Sequence, residues 1–208
     1  MRTLKVVLTL FVLYAVAALP EFLFLMANRT IVQPATPDAV EVFVERPGTL
    51  DEPYDARIEP FNHALALADE RAEAHPEDLA PPYLLRHPWR LVAPYVSSRG
   101  HELAAAPLRG VAWPNQVRTP FVISPEVWQV RHSVAKLNAL MSADRGPLDD
   151  PRIFAASIDA ERDMVVVVAN AIDQPLRRLL ARTYGADLVA LQWDPWAKRL
   201  ERLAAGSG

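Results

Sequence analysis

The residue types best able to bind a metal ion are concentrated in one stretch of the chain, EPFNHALALADERAEAHPED. This stretch contains His63 and His75, and three acidic residues lie between them, Asp69, Glu70 and Glu73. Histidine nitrogens and carboxylate oxygens bind zinc on a helix when two ligands lie one turn apart, as in H-E-x-x-H. His63 and His75 are twelve residues apart and share no turn. The spacing therefore predicts a solvated polar face of a helix, and we expect no metal site.

The chain lacks the short sequence motifs of catalysis and nucleotide binding. It contains no G-x-S-x-G, no P-loop, no G-x-G-x-x-G and no cysteine, so thiol nucleophiles, disulfides and thiolate metal sites are excluded. His132, beside Arg131, falls on the polar side of a predicted helix and is expected to be solvated. Neither a catalytic residue nor a cofactor is predicted. A catalytic group assembled from distant loops stays open, because no short motif would reveal it.

The bulk composition indicates a folded protein with rigid connections. The chain has 208 residues, 51% of them hydrophobic, which is enough to bury a core. Its 22 Lys and Arg against 25 Asp and Glu give a formal net charge of −3. The basic field that drives nucleic-acid binding is therefore absent, and no nucleic-acid partner is expected. With 19 Pro and only 7 Gly, the linkers are expected to be stiff, since proline fixes φ.

The N-terminal apolar run, KVVLTLFVLYAVAALPEFLFLM, predicts a membrane anchor or uncleaved signal over residues 1–27. As a helix, residues 4–26 would be about 34 Å long, which is enough to cross a hydrocarbon layer of about 30 Å. Arg2 and Lys5 on the N-terminal flank predict that the N-terminus lies in the cytoplasm and the rest of the chain outside, by the positive-inside rule. The alternative is a signal peptide that is cleaved near Ala17, which would release a secreted protein.

Residues 28–58 are predicted to form a proline-rich extended linker or arm. Three valines alternate within it, Val40, Val42 and Val44, and this spacing predicts a short strand. Residues 59–118 are predicted to form a helix followed by an irregular, aromatic-rich segment. The helix is expected over residues 59–74, since a proline suits its first turn and further prolines follow its end.

Residues 119–194 have the pattern of an α+β domain. A helix is predicted with Ser124 as its N-cap, and two strands flank a polar turn at residues 159–163. A second helix is predicted between Asp173 and Gly185, and a last strand follows it.

This order of elements predicts a ferredoxin-like αββαβ plan, in which two helices cover one face of a sheet. The plan becomes βαββαβ if TPFVIS, residues 119–124, forms a leading strand. Pro120 weakens that strand, because proline cannot donate a ladder hydrogen bond in the centre of a sheet.

The stretch SIDAERDMVVVVANAIDQPLRRLLARTYGADLVALQ contains a polar-turn hairpin, a short helix ending in glycine, and a strand. It resembles the αββαβ modules in the propeptides of bacterial serine proteases of the alpha-lytic type. In that family the module binds its protease, assists its folding and inhibits it. The resemblance covers about a third of the chain and implies a sheet whose face or edge binds a protein. The chain lacks a serine-nucleophile motif and a protease domain, so a zymogen is not expected.

Residues 195–208, PWAKRLERLAAGSG, are predicted to form an amphipathic C-terminal tail. The candidate interaction residues lie in it and beside it, and they are Trp193, Trp196, Lys198, Arg199 and Arg202. A helix this short is unstable alone, so we expect it to pack against a surface. That surface is the domain's own, beside Trp193, or it is a protein partner or lipid headgroups, which suit basic residues beside a tryptophan.

Together these patterns predict a membrane-anchored extracytoplasmic protein, single-pass in the cytoplasmic membrane, whose outer domain binds or scaffolds another protein of the cell envelope without catalysis. The alternative is an exported hydrolase or other enzyme with a distributed active site. A pocket that collects two or more histidines with carboxylates would favour the enzyme. A flat sheet surface with an open edge would favour the binding protein. The five histidines are His63, His75, His87, His101 and His132.

Overall fold

The computed structural model describes residues 29–45, 55–86, 88–142, 146–147 and 150–197. In these residues ten strands and four α-helices form an α+β protein. The strands are β1 Arg29–Gln33, β2 Val42–Glu45, β3 Tyr83–Leu85, β4 Arg90–Tyr95, β5 Leu108–Ala112, β6 Thr119–Ile123, β7 Glu126–Gln129, β8 Ile153–Asp159, β9 Met164–Ala169 and β10 Val189–Trp193. The helices are α1 Ile58–Ala74, α2 Ser98–Ala105, α3 Val134–Ser142 and α4 Gln174–Tyr184.

Five strands from both ends of the described chain form the larger sheet, in the order β1-β2-β10-β9-β8. β10 lies at the centre and pairs parallel with β2 and with β9. β1 and β8 pair antiparallel with their neighbours and form the two edges. In β9 the successive residues Val165, Val166 and Val167 are at most 4% exposed. Such a continuous apolar run is typical of a strand that is buried on both faces.

Helices α3 and α4 both cover one face of this sheet. The main apolar cluster joins side chains of both helices to alternate residues of the strands. Its largest fully buried members are Leu137, Ile153, Leu176, Leu180 and Leu191. Because side chains alternate along a strand, Val166 lies on the opposite face, where it packs with Phe43 and Ala190.

α4 begins and ends where the sequence predicts. Asp173 holds the N-cap position, Pro175 lies in the first turn, and Gly185 follows the last turn with a φ of 103°, which L side chains rarely adopt. Asp173 makes no capping hydrogen bond. Its carboxylate instead accepts a hydrogen bond from Nη1 of Arg152 at 2.8 Å.

A buried arginine attaches α4 to the loop between β1 and β2. Arg177 is 5% exposed. Its guanidinium donates hydrogen bonds to the carbonyl oxygens of Val40 and Pro34, both at 2.9 Å, and to the side-chain oxygen of Gln33 at 2.5 Å. A guanidinium is buried at an acceptable cost only when its N–H groups find acceptors, so this loop is fixed to the helix.

The remaining strands form two smaller sheets. One has the order β3-β4-β7, and the other is the β5–β6 hairpin. The predicted helix over residues 59–74 is confirmed as α1, whose buried residues are Ala64, Ala68 and Ala72. These alanines repeat every four residues and give α1 a narrow apolar stripe that packs close to its neighbours.

The helix predicted from Ser124 is wrong in its first half. Glu126–Gln129 is strand β7, which pairs parallel with β4. The helix begins at Val134, and Ser133 before it accepts a hydrogen bond from the backbone N–H of Lys136 at 3.2 Å. Pairing with β4 satisfies the backbone groups of β7, and this tertiary contact outweighs the local helical pattern.

The ferredoxin-like plan is also wrong. Thr119–Ile123 pairs with β5 in a separate hairpin and does not enter the larger sheet. In the predicted plan the leading strand would separate the two strands that the second helix joins. Here β9 and β10 are direct parallel neighbours, and β2, from the predicted linker, lies on the other side of β10. Pro120 fits the two-stranded ribbon because a ribbon strand has one edge that needs no partner.

No helix in the described ranges is long and apolar enough to cross a membrane. The longest of them, α1, has 17 residues and carries five charged side chains; at 1.5 Å per residue it is about 26 Å long, which is shorter than a hydrocarbon layer. The predicted transmembrane helix or signal anchor, the membrane attachment through residues 4–26 and the single-pass location are corrected accordingly: the described structure does not support them. Residues 4–26 themselves, with Ala17, lie outside the described residues.

Candidate functional site

An open cleft of about 580 Å³ lies at the amino ends of β9 and β10. It is lined by the stretch between β1 and β2, the residues from the end of β7 toward α3, the β8–β9 turn and the turn before β10. The ionisable side chains that line it are Glu41, Arg131, His132, Arg162, Asp163 and Asp187. The fold therefore brings together ionisable groups from four segments that are far apart in the sequence.

Asp163 organises one wall of the cleft. It lies in the β8–β9 turn with a φ of 56°, a left-handed conformation that aspartate tolerates better than most residues. Its Oδ2 accepts hydrogen bonds from the backbone N–H groups of Arg131 at 2.7 Å and His132 at 3.0 Å. The carboxylate thus holds the turn that precedes α3, and these contacts occupy its oxygens.

His132 is oriented by the same turn. Its Nδ1 lies 2.7 Å from the backbone oxygen of Asp163. Because a carbonyl oxygen only accepts, Nδ1 donates to it, and in the neutral form of the ring the lone pair lies on Nε2. Nε2 lies 3.9 Å from Oδ2 of Asp187. The ring is mostly buried, at 12% exposure, so the predicted solvated position on a helix is wrong: His132 precedes α3 and packs against the β8–β9 turn.

The chemistry that this histidine offers is limited. A neutral Nε2 can accept a proton or a hydrogen bond. No hydroxyl group among the described residues is hydrogen-bonded to the ring. Thr36, which also lines the cleft, donates its hydroxyl to Asp38 at 2.8 Å. Among the described residues that line the cleft, no base contacts a nucleophile as covalent catalysis requires.

Beside the cleft, two arginines flank one aromatic ring. The Cζ atoms of Arg29 and Arg162 lie 5.2 and 4.8 Å from the ring centroid of Phe43. Nη1 of Arg29 pairs with Asp159 at 2.6 Å, and Nη2 of Arg162 pairs with Glu41. We call these five residues the Phe43 clamp. Each guanidinium gains a cation–π contact, and its carboxylate neutralises it, so that the two cations can share one ring.

The β8–β9 turn also faces the smaller three-stranded sheet. Tyr83 of β3 is half-buried and contacts Trp128 of β7 edge to face, with ring centroids 6.1 Å apart. Burial raises the pKa of Tyr83 above its usual value, and the carboxylates of Glu161 and Asp159 raise it further. The phenol therefore stays protonated to a higher pH than that of an ordinary tyrosine.

The described histidines do not converge. His63 is exposed on α1, His75 ends α1, and His101 contacts the ring of Tyr95 with centroids 4.9 Å apart. His87 lies outside the described residues. His132 is the one described histidine that lines the cleft. Among the described residues, no group of three His, Cys, Asp or Glu side chains is arranged to hold a metal ion.

The predicted interaction residues are only partly described. Trp193 ends β10, packs against the main apolar cluster and donates from Nε1 to the carbonyl oxygen of Asn170 at 3.2 Å. Trp196 is 84% exposed, and its backbone N–H donates to Asp194 Oδ1 at 2.9 Å. The interaction through the tail stays a prediction. The three basic residues of that set lie outside the described residues, Lys198, Arg199 and Arg202.

A feature that the sequence reading missed is the exposed edge at β1. This strand pairs with β2 on one side. Thr30, Ile31 and Val32 are all exposed, Ile31 at 47% and Val32 at 40%. The signal was present in the sequence as a short run of β-branched residues, TIV, placed before a proline.

Comparison with known proteins assigns no family. No protein-family model matches this sequence, and a search of curated proteins finds no match. Function is therefore inferred from the geometry of the cleft and of the β1 edge.

Proposed function

We propose that this protein is a non-enzymatic protein-binding module, which binds an extended segment of a partner protein along β1. The observation that carries the proposal is the edge itself. In the described part of the chain β1 has a neighbour on one side only, and it exposes two β-branched apolar side chains. An edge strand offers a row of backbone N–H and C=O groups with which an added strand can pair.

The composition of β1 supports this reading. Natural edge strands that avoid pairing usually carry charged residues or proline. Between Arg29 and Gln33, β1 carries no charge and no proline. Ile31 and Val32 are both exposed at this edge, so an added strand would gain apolar contacts with them. The register of β1 is regular from Arg29 to Ile31 and shifts before Gln33. Because such a shift disrupts further pairing, the partner is expected to pair along residues 29–31.

The cleft gives less support to the alternative, an enzyme with a distributed active site. His132 lines it without a second described histidine, and Asp163 and the Nδ1 of His132 bind backbone groups. The resemblance of residues 157–192 to protease propeptide modules stays a prediction. It points to the same class of role as the β1 edge, because those modules bind a protein.

Charged substitutions on β1 test the proposal. The double variant Ile31→Lys/Val32→Lys introduces two charges at the edge, whereas Leu179→Lys introduces one on α4, where Leu179 is as exposed as Val32, at 40%. Partners recovered by affinity capture with the wild-type protein should bind Leu179→Lys equally well. Their affinity for the edge variant should fall at least tenfold. The replaced side chains are exposed, so both variants should keep a melting temperature within a few degrees of wild type.

Hydrogen exchange locates the contact. When a recovered partner is added, the backbone N–H groups within residues 29–31 that point away from β2 are expected to exchange more slowly, because an added strand gives them acceptors. The proposal fails if the edge variant retains the partner, if exchange in β1 is unchanged in the complex, or if the wild-type protein captures no partner.

A further inference from the structure

The β5–β6 hairpin has one face packed against α1 and one face open. On the inner face, Leu108, Ala112 and Phe121 are buried in one cluster with Ala64 of α1. Gly110 makes this packing possible: a Cβ at that position would lie 2.7 Å from Cζ of Phe121. The ring of Phe121 therefore lies directly against the backbone of β5.

Alternation along both strands places the other residues on the open face. The ladder pairs Arg109 with Val122 and Val111 with Pro120. Trp113 comes one residue after the end of β5, and Arg118 comes one residue before the start of β6. We call these six residues the outer ribbon face. Trp113 is 54% exposed and Val122 is 59% exposed, so large apolar side chains face solvent here.

The outer ribbon face is also positively charged. Arg109 and Arg118 are exposed, and neither forms an ion pair or a hydrogen bond with another described residue. The sequence contains no acidic residue between Glu102 and Glu126, although the chain as a whole has a net charge of −3. Most of the other described arginines on the surface have acidic neighbours, as Arg29, Arg90 and Arg152 do.

We propose that the outer ribbon face binds an extended acidic segment of a partner protein, with carboxylates at positions i and i+4 and an apolar side chain at i+2. Arg109 lies at one end of the ribbon on β5, and Arg118 lies at the other end beside β6. They are four residue steps apart along the ribbon, or about 14 Å. In an extended segment, residues i, i+2 and i+4 share one face, and i and i+4 are about 13 Å apart. The apolar residue then lies over Val111 and Pro120.

Charge favours a protein partner over nucleic acid. Two arginines in a chain of net charge −3 provide few phosphate contacts, and binding to nucleic acid depends on several of them. An acidic segment of a protein needs only two ion pairs, and the apolar contacts between them supply the remaining affinity. The outer ribbon face belongs to a different sheet from β1, so its failure would leave the function proposed for β1 untouched.

Two synthetic peptides of the same composition test the spacing. In acetyl-STETLTETS-amide the two glutamates flank leucine at i and i+4, and in acetyl-STTELETTS-amide they lie two residues apart. Each is titrated into the ¹⁵N-labelled full chain, and the indole N–H resonance of Trp113 is followed by NMR. The first peptide is expected to bind at least tenfold more tightly than the second, and its affinity is expected to fall as salt is raised.

Charge reversal tests the assignment to these two arginines. Arg109→Glu/Arg118→Glu should weaken binding of the first peptide at least tenfold, whereas Lys136→Glu, at an exposed position on α3, should change it less than twofold. All three side chains are exposed, so circular dichroism and melting should match wild type. The proposal is overturned if the two peptides bind equally, if neither binds at about 1 mM, or if the reversal has no effect. It is also overturned if a single-stranded oligonucleotide, or a second copy of the chain, occupies this face more tightly than the peptide.

Discussion

The two faces of the five-stranded sheet are stabilised by different kinds of contact. On the face that α3 and α4 cover, fully buried aliphatic side chains pack against one another. On the opposite face, the guanidiniums of Arg29 and Arg162 both contact the ring of Phe43, and Asp159 and Glu41 neutralise them. Phe43 is as buried as the aliphatic residues, at 1%. Two side chains with the same low solvent exposure can therefore have different surroundings, apolar groups on one face of the sheet and paired charges on the other.

The two faces should respond differently to a new charge. On the aliphatic face a carboxylate would find no partner and would have to be buried unpaired. On the face of the Phe43 clamp both guanidiniums are already paired with carboxylates, but Nη1 of Arg162 is buried without a hydrogen-bond partner among the described residues. A new carboxylate that accepts from it would recover part of that cost. This contrast can be tested within a single strand, because β9 has side chains on both faces.

The largest expected effect comes from adjacent residues of β9. Val167→Asp, on the helix-covered face, is expected to lower the free energy of unfolding by more than about 4 kcal/mol. Val166→Asp, on the opposite face, is expected to cost about 2–4 kcal/mol, because the clamp's guanidiniums lie on its side. Denaturant unfolding measures both. Val122→Asp, at a position 59% exposed, is the control and should cost less than about 0.5 kcal/mol. If Val166→Asp costs as much as Val167→Asp, the clamp does not moderate charge on its face.

A smaller effect is expected from removing one cation of the clamp. Arg162→Ala leaves Glu41 without its partner and uncovers one side of Phe43. We expect it to cost about 1–3 kcal/mol, which is typical of losing one partner of a partly buried charged pair. Arg131→Ala serves as the matched control, since its side chain lines the same cleft but is 78% exposed; it should cost less than about 0.5 kcal/mol. Equal costs for the two alanine variants would show that the clamp contributes no stability.

The smallest effect concerns an ion pair at the border of the helix-covered face. Arg152 donates to Asp150 at 2.6 Å and to Asp173 at 2.8 Å. Hydrogen bonds from Arg152 hold the pKa of Asp150 below its ordinary value of 3.8. A carboxyl group whose pKa is lower in the folded state stabilises the fold above the unfolded pKa, and that contribution is lost as the pH falls through the folded pKa.

Asp150→Asn measures that contribution. The pair is partly exposed to solvent, which screens it, so we expect a loss of about 0.5–1 kcal/mol at pH 7. Below about pH 4 the difference between wild type and variant should shrink, because Asp150 of the unfolded wild-type chain then binds a proton that the folded chain does not yet bind. Asp187→Asn, at a side chain 58% exposed, should leave the free energy of unfolding within about 0.5 kcal/mol of wild type. A difference between wild type and Asp150→Asn that grows on acidification would contradict the assignment.

The sequence predicted best where one strong local pattern decided the structure. The alternating residues of β8, the apolar run of β9 and the turn between them lie where they were expected. α4 follows from Asp173, Pro175 and Gly185, because the first two favour a helix start and only glycine readily adopts the φ of 103° after its end. In these segments the local propensity and the tertiary contacts agree.

Prediction failed where the partner of a segment decided its structure. The residues after Ser124 have a helical spacing, yet β4 pairs with them as β7. The ferredoxin-like plan failed because β2, which was predicted as a short strand within a linker, lies beside β10 in the larger sheet. The cleft could not be predicted either, since it depends on four distant segments that meet at the amino ends of β9 and β10.

By itself, the sequence determined the α+β class, the absence of thiol chemistry and the elements from β8 to β10, since composition and short-range periodicity act within one segment. Only the tertiary structure decided what lies beside those elements. Arg29 pairs with Asp159 across 130 positions, and Arg177 donates to Val40 across 137. No local spacing encodes such contacts, because they form only after the sheet has brought its strands together. The open edge at β1 and the outer ribbon face were decided in the same way, by which neighbours the fold supplied to each strand and which it did not.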